Sequence, residues 1–316
     1  MLKFLLVTAF FSACLLSRVQ AQEKCGIVID TYTKSSIPYA TVSTLPFSNG
    51  AYTSDDGHYC FSVNTQTDSV AISCLGYKVI VLAKKSFFEL DTIMMIPTVN
   101  QLNEVTVRSK SSKKVYKTVG YADNAFRKRS FGQSISVNSG IKVATYLRND
   151  EKLKGTLRNV LYLLSETEDR KGRESPLVYK LRLRIFDNKN ELPGNDILTE
   201  QIIIDVSNKQ NEIKYNLEKY NIDLPTDGLW IGLECVGYVS KDSIYHEMKA
   251  FEFGKYSLKN SKKMKIANYQ IISPMFPMTK RTVSQSAYSF WNGKWFLHKG
   301  KDDFNTFSFG GEIELN

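Results

Sequence analysis

Histidine is scarce in this chain, with only His58, His246 and His298 among 316 residues. A zinc hydrolase needs ligands two to four residues apart on a rigid element, a third ligand and a carboxylate base. "HEMKA" at 246–250 begins like such a helix but has no second histidine. Cysteine is sparse too. There are five, none in a CxxC pair, which argues against zinc ribbons and dithiol redox motifs. No nucleophile elbow, P-loop or dinucleotide fingerprint occurs, and "GQSIS" at 132–136 has the wrong last residue for an elbow. Past the N-terminus no run approaches about 18 apolar residues, so no transmembrane helix is expected. Internal repeats, low-complexity tracts and long helical patterns are also missing. Only a glycosidase-type carboxylate pair escapes this test, because its two members need not be close in sequence.

The N-terminus is where apolar residues do concentrate. Lys3 precedes "FLLVTAFFSACLL" (4–16), and Val19-Gln20-Ala21 ends in small residues. This is the pattern of a secretory signal peptide over 1–21, cleaved after Ala21. A rival reading takes "FSAC" (11–14) as a lipobox with Cys14 lipidated, but Phe11 fits poorly and apolar residues continue past the cysteine. Export places the mature chain in the periplasm or at the cell surface. Losing Lys3 and Arg18 with the leader leaves 40 basic against 32 acidic residues, a charge of +8. Nucleic acid is not an expected partner there. Envelope proteins or glycans are, although a solvated basic surface explains the charge as well.

Export also permits disulfides. Cys25, Cys60, Cys74 and Cys235 follow the leader. Spacing does not fix their connectivity. A Cys60–Cys74 bridge is the candidate, with a free Cys60 as the alternative.

Short β-branched or alternating runs fill the first part: "CGIVID" (25–30), "YATVST" (39–44), "YCFSV" (59–63), "SVAISCL" (69–75), "KVIVLA" (78–83), "LDTIMMI" (90–96) and "LNEVTV" (102–107). Turn residues separate them at intervals of roughly ten, the rhythm of a β-sandwich over 22–107. The Lys- and Ser-rich "RSKSSKKVYK" (108–117) reads as part of a basic linker over 108–120. A second β series follows over 121–316. In "YKLRLRIF" (179–186), Leu181, Leu183 and Ile185 alternate with Lys180, Arg182 and Arg184, predicting one buried and one solvated face. "WNGKW" (291–295) sets Asn292-Gly293 between aromatic runs, a hairpin signal.

Four segments in order resemble the carboxypeptidase-regulatory-like domain of exported Bacteroidetes proteins. They are "GIVIDTYTKSSIPYATVS" (26–43), "GAYTSDDGHYCFSV" (50–63), "DSVAISCLGYK" (68–78) and "LNEVTV" (102–107). The resemblance implies a noncatalytic transthyretin-like β-sandwich; the cysteines depart from its pattern. "LNEVTV" also resembles a TonB box, but the residues that remain are too few for a plug and barrel. Less specifically, "LRLRIFDNKNELPGNDIL" (181–198), "YNIDLPTDGLWIGLE" (220–234) and "NGKW" (292–295) resemble an uncharacterised β-rich segment that follows this module elsewhere. That implies an all-β chain whose second domain is a jelly-roll-like sandwich.

Candidate sites are few. "SDDGHYCF" (54–61) groups metal-binding side chains, but "SDDG" reads as a turn and Tyr59, Phe61 and Val63 as one strand face, with His58 and Cys60 opposite. In "DNKNELPGND" (187–196), Asp187, Asn190, Glu191 and Asp196 are hard oxygen donors suited to calcium, the one cofactor in view; an ordinary exposed connection has the same composition. Trp291 and Trp295 are candidate sugar platforms, against simple cross-strand packing. The reading is therefore a noncatalytic exported binding or scaffolding protein. A carbohydrate-binding accessory protein and an unrecognised hydrolase are the alternatives.

Overall fold

The computed structural model describes residues 22–45, 50–98, 114–120, 134–137, 141–164, 178–207, 209–239, 245–246, 274–279, 285–289, 294–298 and 306–316. The leader with Cys14, the "LNEVTV" segment, Trp291 and the Asn292-Gly293 turn lie outside the described residues.

The first domain runs β1 (Gln22–Asp30), β2 (Thr41–Leu45), β3 (Gly50–Tyr52), β4 (His58–Val63), β5 (Ser69–Ser73), β6 (Ile80–Ala83), α1 (Lys84–Glu89) and β7 (Thr92–Met95). Two sheets, ordered β4-β1-β7 and β3-β2-β5-β6, face each other. Alternation builds the core between them. Tyr59, Phe61 and Val63 of β4 point in, as do Val42 of β2 and Val70 and Ile72 of β5. The turn before β4 is the "SDDG" segment. Gly57 has φ of +83°, and a Cβ there would meet the Val28 carbonyl at 2.9 Å, so both backbone angle and space call for glycine.

The second domain contains β8 (Tyr116–Val119), β9 (Ser134–Ser136), β10 (Lys142–Leu147), β11 (Gly155–Leu163), β12 (Val178–Lys189), β13 (Leu192–Asp196), β14 (Ile202–Ser207), β15 (Glu212–Asn216), β16 (Ile222–Asp223), β17 (Leu229–Val239), β18 (Tyr245–His246), β19 (Met275–Thr279), β20 (Ser286–Ser289), β21 (Trp295–Leu297), β22 (Thr306–Phe307) and β23 (Phe309–Leu315). An eight-stranded sheet has the path β13-β12-β17-β10-β20-β21, with β14 beside β12 and β18 beside β17. A five-stranded sheet has the path β15-β11-β23-β8, with β16 on β11. The chain crosses repeatedly between them, as in a jelly roll. Leu181, Leu183, Ile185, Ile231 and Leu233 from one sheet meet Leu157, Val160, Tyr162, Phe309 and Ile313 from the other. Phe276, Met278 and Phe307, from a small β22-β19-β9 sheet, extend the same core.

Two expectations need correction, and one element is new. The basic linker assigned to 108–120 is shorter, because Tyr116–Val119 is a strand paired antiparallel with β23. The helix α1 was not foreseen. The face of β12 assigned to solvent is covered at Arg182, which is 2% exposed.

Candidate functional site

The eight-stranded sheet has a second face, turned away from the five-stranded sheet. Along β17, Leu229, Ile231, Leu233 and Cys235 enter the main core, so Trp230, Glu234 and Val236 take the second face. Arg182, Arg184 and Phe186 of β12 join them by the same alternation. Part of this face is covered by the first domain. Tyr39 and Tyr52 pack there on Val236 and Ile203.

Beside that apolar contact lies Glu234, 1% exposed. Strand register sets its neighbours: Lys142 is opposite on β10 and Arg182 is opposite on β12. Opposite charges therefore alternate across three adjacent strands. Glu234 Oε2 accepts from Arg182 Nη1 at 3.1 Å and Arg184 Nη1 at 3.5 Å. Its Oε1 accepts from the Tyr52 hydroxyl at 2.6 Å. Arg182 also donates through Nη2 to the Tyr39 carbonyl, and its guanidinium lies 5.5 Å from the centroid of the Tyr52 ring. Arg184 Nε pairs with Asp196 Oδ2 at 2.5 Å. A second crossing comes from Gln201, whose Nε2 donates to the Pro38 carbonyl at 3.0 Å and lies 2.9 Å from Cys74 Sγ.

The electrostatics follow from this packing. Burial alone would raise the Glu234 carboxyl; Arg182, Lys142 and Arg184, with the Tyr52 hydroxyl, outweigh it and hold the pKa at about 2. Burial and the two arginines push Lys142 down to about 8, against the pull of Glu234 and Asp196. Burial pushes Asp196 up, opposed by Arg184. Two apolar sheet faces in contact can slide. Of the polar contacts around Glu234 and Arg182, the Tyr52 hydroxyl on Glu234 and the Tyr39 carbonyl on Arg182 come from the first domain, and two directed bonds to buried charges held by their own sheet favour a single docking geometry. The seam is thus suited to holding two domains at one angle.

The residues singled out from sequence are dispersed. Trp295 is half-buried, its ring edge-on to Phe186 at 5.4 Å in a cluster with Tyr146 and Trp230. Asn190 and Glu191 form the two-residue turn between β12 and β13, both at positive φ as a primed hairpin turn requires. The Asp187 carboxylate accepts the Asn195 backbone N–H at 2.6 Å, while Asp196 is turned to Arg184. Among the described residues, no group of three or more His, Cys, Asp and Glu is placed to hold a metal ion. The Cys60–Cys74 pairing is corrected. Cys60 is bridged to Cys25 on the exposed side of β4, and Cys74 is a free thiol buried in the core. The wall of the sandwich stands between the two. His58 lies exposed beside Cys60 at the start of β4.

Sequence reasoning missed the seam. The signal was Glu234, a carboxylate inside the apolar run "LWIGLECV". A charge with apolar residues on both sides of it needs a counter-charge, and "LRLRI" supplied two.

Residues 25–107 match the family model described as the CarboxypepD_reg-like domain. The first domain is a CarboxypepD_reg-like domain. Its motif residues now have physical duties. The Asp30 carboxylate accepts from the N–H groups of Tyr32 and Thr33 at 2.7 and 2.8 Å and from the Tyr77 hydroxyl at 3.1 Å. The opening "GIVID" and the later "GY" are thereby tied together. Pro38 and Tyr39 of the CarboxypepD_reg-like domain present their carbonyls to the second domain. No curated protein matches the chain.

Proposed function

We propose that the protein is a noncatalytic binding or scaffolding component of a bacterial cell envelope, exported by its leader and working without a bound cofactor. The observation that supports this reading is the seam. The buried charges of the seam, Arg182, Arg184 and Glu234, are engaged with one another and, through Tyr39 and Tyr52, with the first domain, an arrangement suited to presenting two β domains as one body to a protein or glycan partner. Among the described residues, no helix is long and apolar enough to cross a membrane. The test is affinity capture from envelope extracts with the mature chain, alongside a variant carrying Tyr52→Phe and Arg182→Met. A partner retained by the wild type and lost or weakened with the variant supports scaffolding. Turnover of an ester, peptide or glycoside substrate, abolished by one point substitution, would replace this reading with an enzyme.

A glycan as the partner draws on β21, where Phe296 is 41% exposed beside the half-buried Trp295. Glycan-array binding reduced at least tenfold by Trp295→Ala supports that version. Calcium at the 187–196 hairpin is tested by calorimetry: neither heat nor a shift in melting temperature on adding the ion removes it.

A further inference from the structure

The four cysteines of the described residues fall into two opposite classes. Cys74 and Cys235 are buried thiols. Cys25 and Cys60 are both exposed and joined to each other. They sit on the outer face of the β4-β1-β7 sheet, in direct register across antiparallel strands. β4 is the edge strand, and the pairing of β7 with β1 begins only at Ile27, two residues beyond Cys25. Neither sulfur belongs to the core, which is made by the alternate side chains Val28, Tyr59, Phe61 and Val63.

We propose that the Cys25–Cys60 bond is a thiol–disulfide exchange site for a protein dithiol. Exposed disulfides are the ones a thiolate can reach, and they are the labile or regulatory class. The reaction balances within the pair. A partner thiolate attacks Cys60 Sγ, the Cys60–Cys25 bond breaks, and Cys25 leaves as thiolate. The partner's second thiol then attacks the mixed disulfide, leaving the partner oxidised and Cys25 and Cys60 reduced. The strand ladder supplies reversibility. Register from Gln22 opposite Val63 to Ile27 opposite His58 is set by backbone pairing and by the buried side chains beneath. The two thiols therefore stay opposite each other after reduction, and closure needs no search. Selectivity comes from burial: Cys74 and Cys235 offer an incoming thiolate no access, and burial pushes both thiols up, Cys74 to about 11.

The experiment uses the mature full chain, folded, with a thioredoxin whose resolving cysteine is replaced by serine. The expected result is a one-to-one covalent adduct, mapped by mass spectrometry to Cys25 or Cys60. Intact reduced thioredoxin should open the bond without denaturant. Iodoacetamide should then label Cys25 and Cys60 at least tenfold more than Cys74 and Cys235. A variant carrying Cys74→Ser and Cys235→Ser should give the same adduct yield. No adduct, with reduction only in denaturant, would make the bond a structural staple and overturn the proposal, as would loss of the adduct in the Cys74→Ser, Cys235→Ser variant.

Discussion

Tyr52 and Glu234 carry the seam through one short hydrogen bond between the two domains. Tyr52→Phe removes a hydroxyl donated to a buried carboxylate and should cost about 1.5–3 kcal/mol, read from urea melts. Glu234→Gln strips the charge facing Arg182 and Arg184 and should cost more, about 3–5 kcal/mol, because uncompensated guanidinium charge stays buried. The pH dependence has a definite sign. The folded-state pKa of Glu234, about 2, lies below its ordinary 4.5. Its stabilisation is therefore complete above the ordinary value and lost as pH falls through the folded one. The stability gap between wild type and Glu234→Gln should close between about pH 4.5 and 2. Lys142 behaves oppositely. Its pKa falls from 10.5 to about 8, so its charged form opposes folding below about 8, and the opposition fades as pH rises towards 10.5. Lys142→Met should melt above the wild type at pH 7, with an advantage that shrinks across that alkaline window; an advantage unchanged with pH would rule this out. Alternation in "LRLRI" told which side chains share a face. It carried no information on whether the second face meets water or another domain, and so Arg182 and Arg184 were assigned to solvent.

The strand runs were legible because a half-buried strand imposes period two, and "YKLRLRIF" and "YCFSV" obey it. The helix α1 was not legible, for physical reasons. It has six residues, no side-chain cap and no acidic residue in its first turn. Almost nothing local favours it. What holds it is Phe87, fully buried, with ring centroids 5.9 Å from Tyr59 and 6.1 Å from Phe61. Phe87→Ala should therefore cost about 3–5 kcal/mol and loosen the whole turn between β6 and β7. Hydrogen exchange would show this as lost protection over 84–92, and unchanged protection there would mean that local propensity is sufficient. The β12–β13 hairpin was not legible for a related reason. Asn190-Glu191 adopts positive φ at both positions without the glycine that usually marks such a turn, so the sequence carried no hairpin signal there.

Two β-sandwiches were readable from the rhythm of turns and apolar runs; their docking was not, since Tyr52 and Glu234 come together only in the folded chain. The seam should make the domains melt together. Calorimetry of the wild type should give one transition. The variant carrying Tyr52→Phe and Gln201→Ala loses two of the hydrogen bonds that cross the seam and should show two. One transition in both proteins would mean that the apolar contact and the remaining Arg182–Tyr39 hydrogen bond suffice to couple the domains.

The placement of β23 bears on synthesis. It lies inside the five-stranded sheet, between β11 and β8, and among the described residues β8 pairs with no other strand. The first strand of the second domain must wait for the last, across a loop that spans nearly the entire domain. The described strands of the CarboxypepD_reg-like domain are all in place by Met95. A chain that emerges N-terminus first, as it does from an export channel, therefore completes one domain early and leaves the other open until residue 315 has emerged. Through that interval Tyr39 and Tyr52 wait uncovered, and the second domain's unpaired strands need protection from foreign ones.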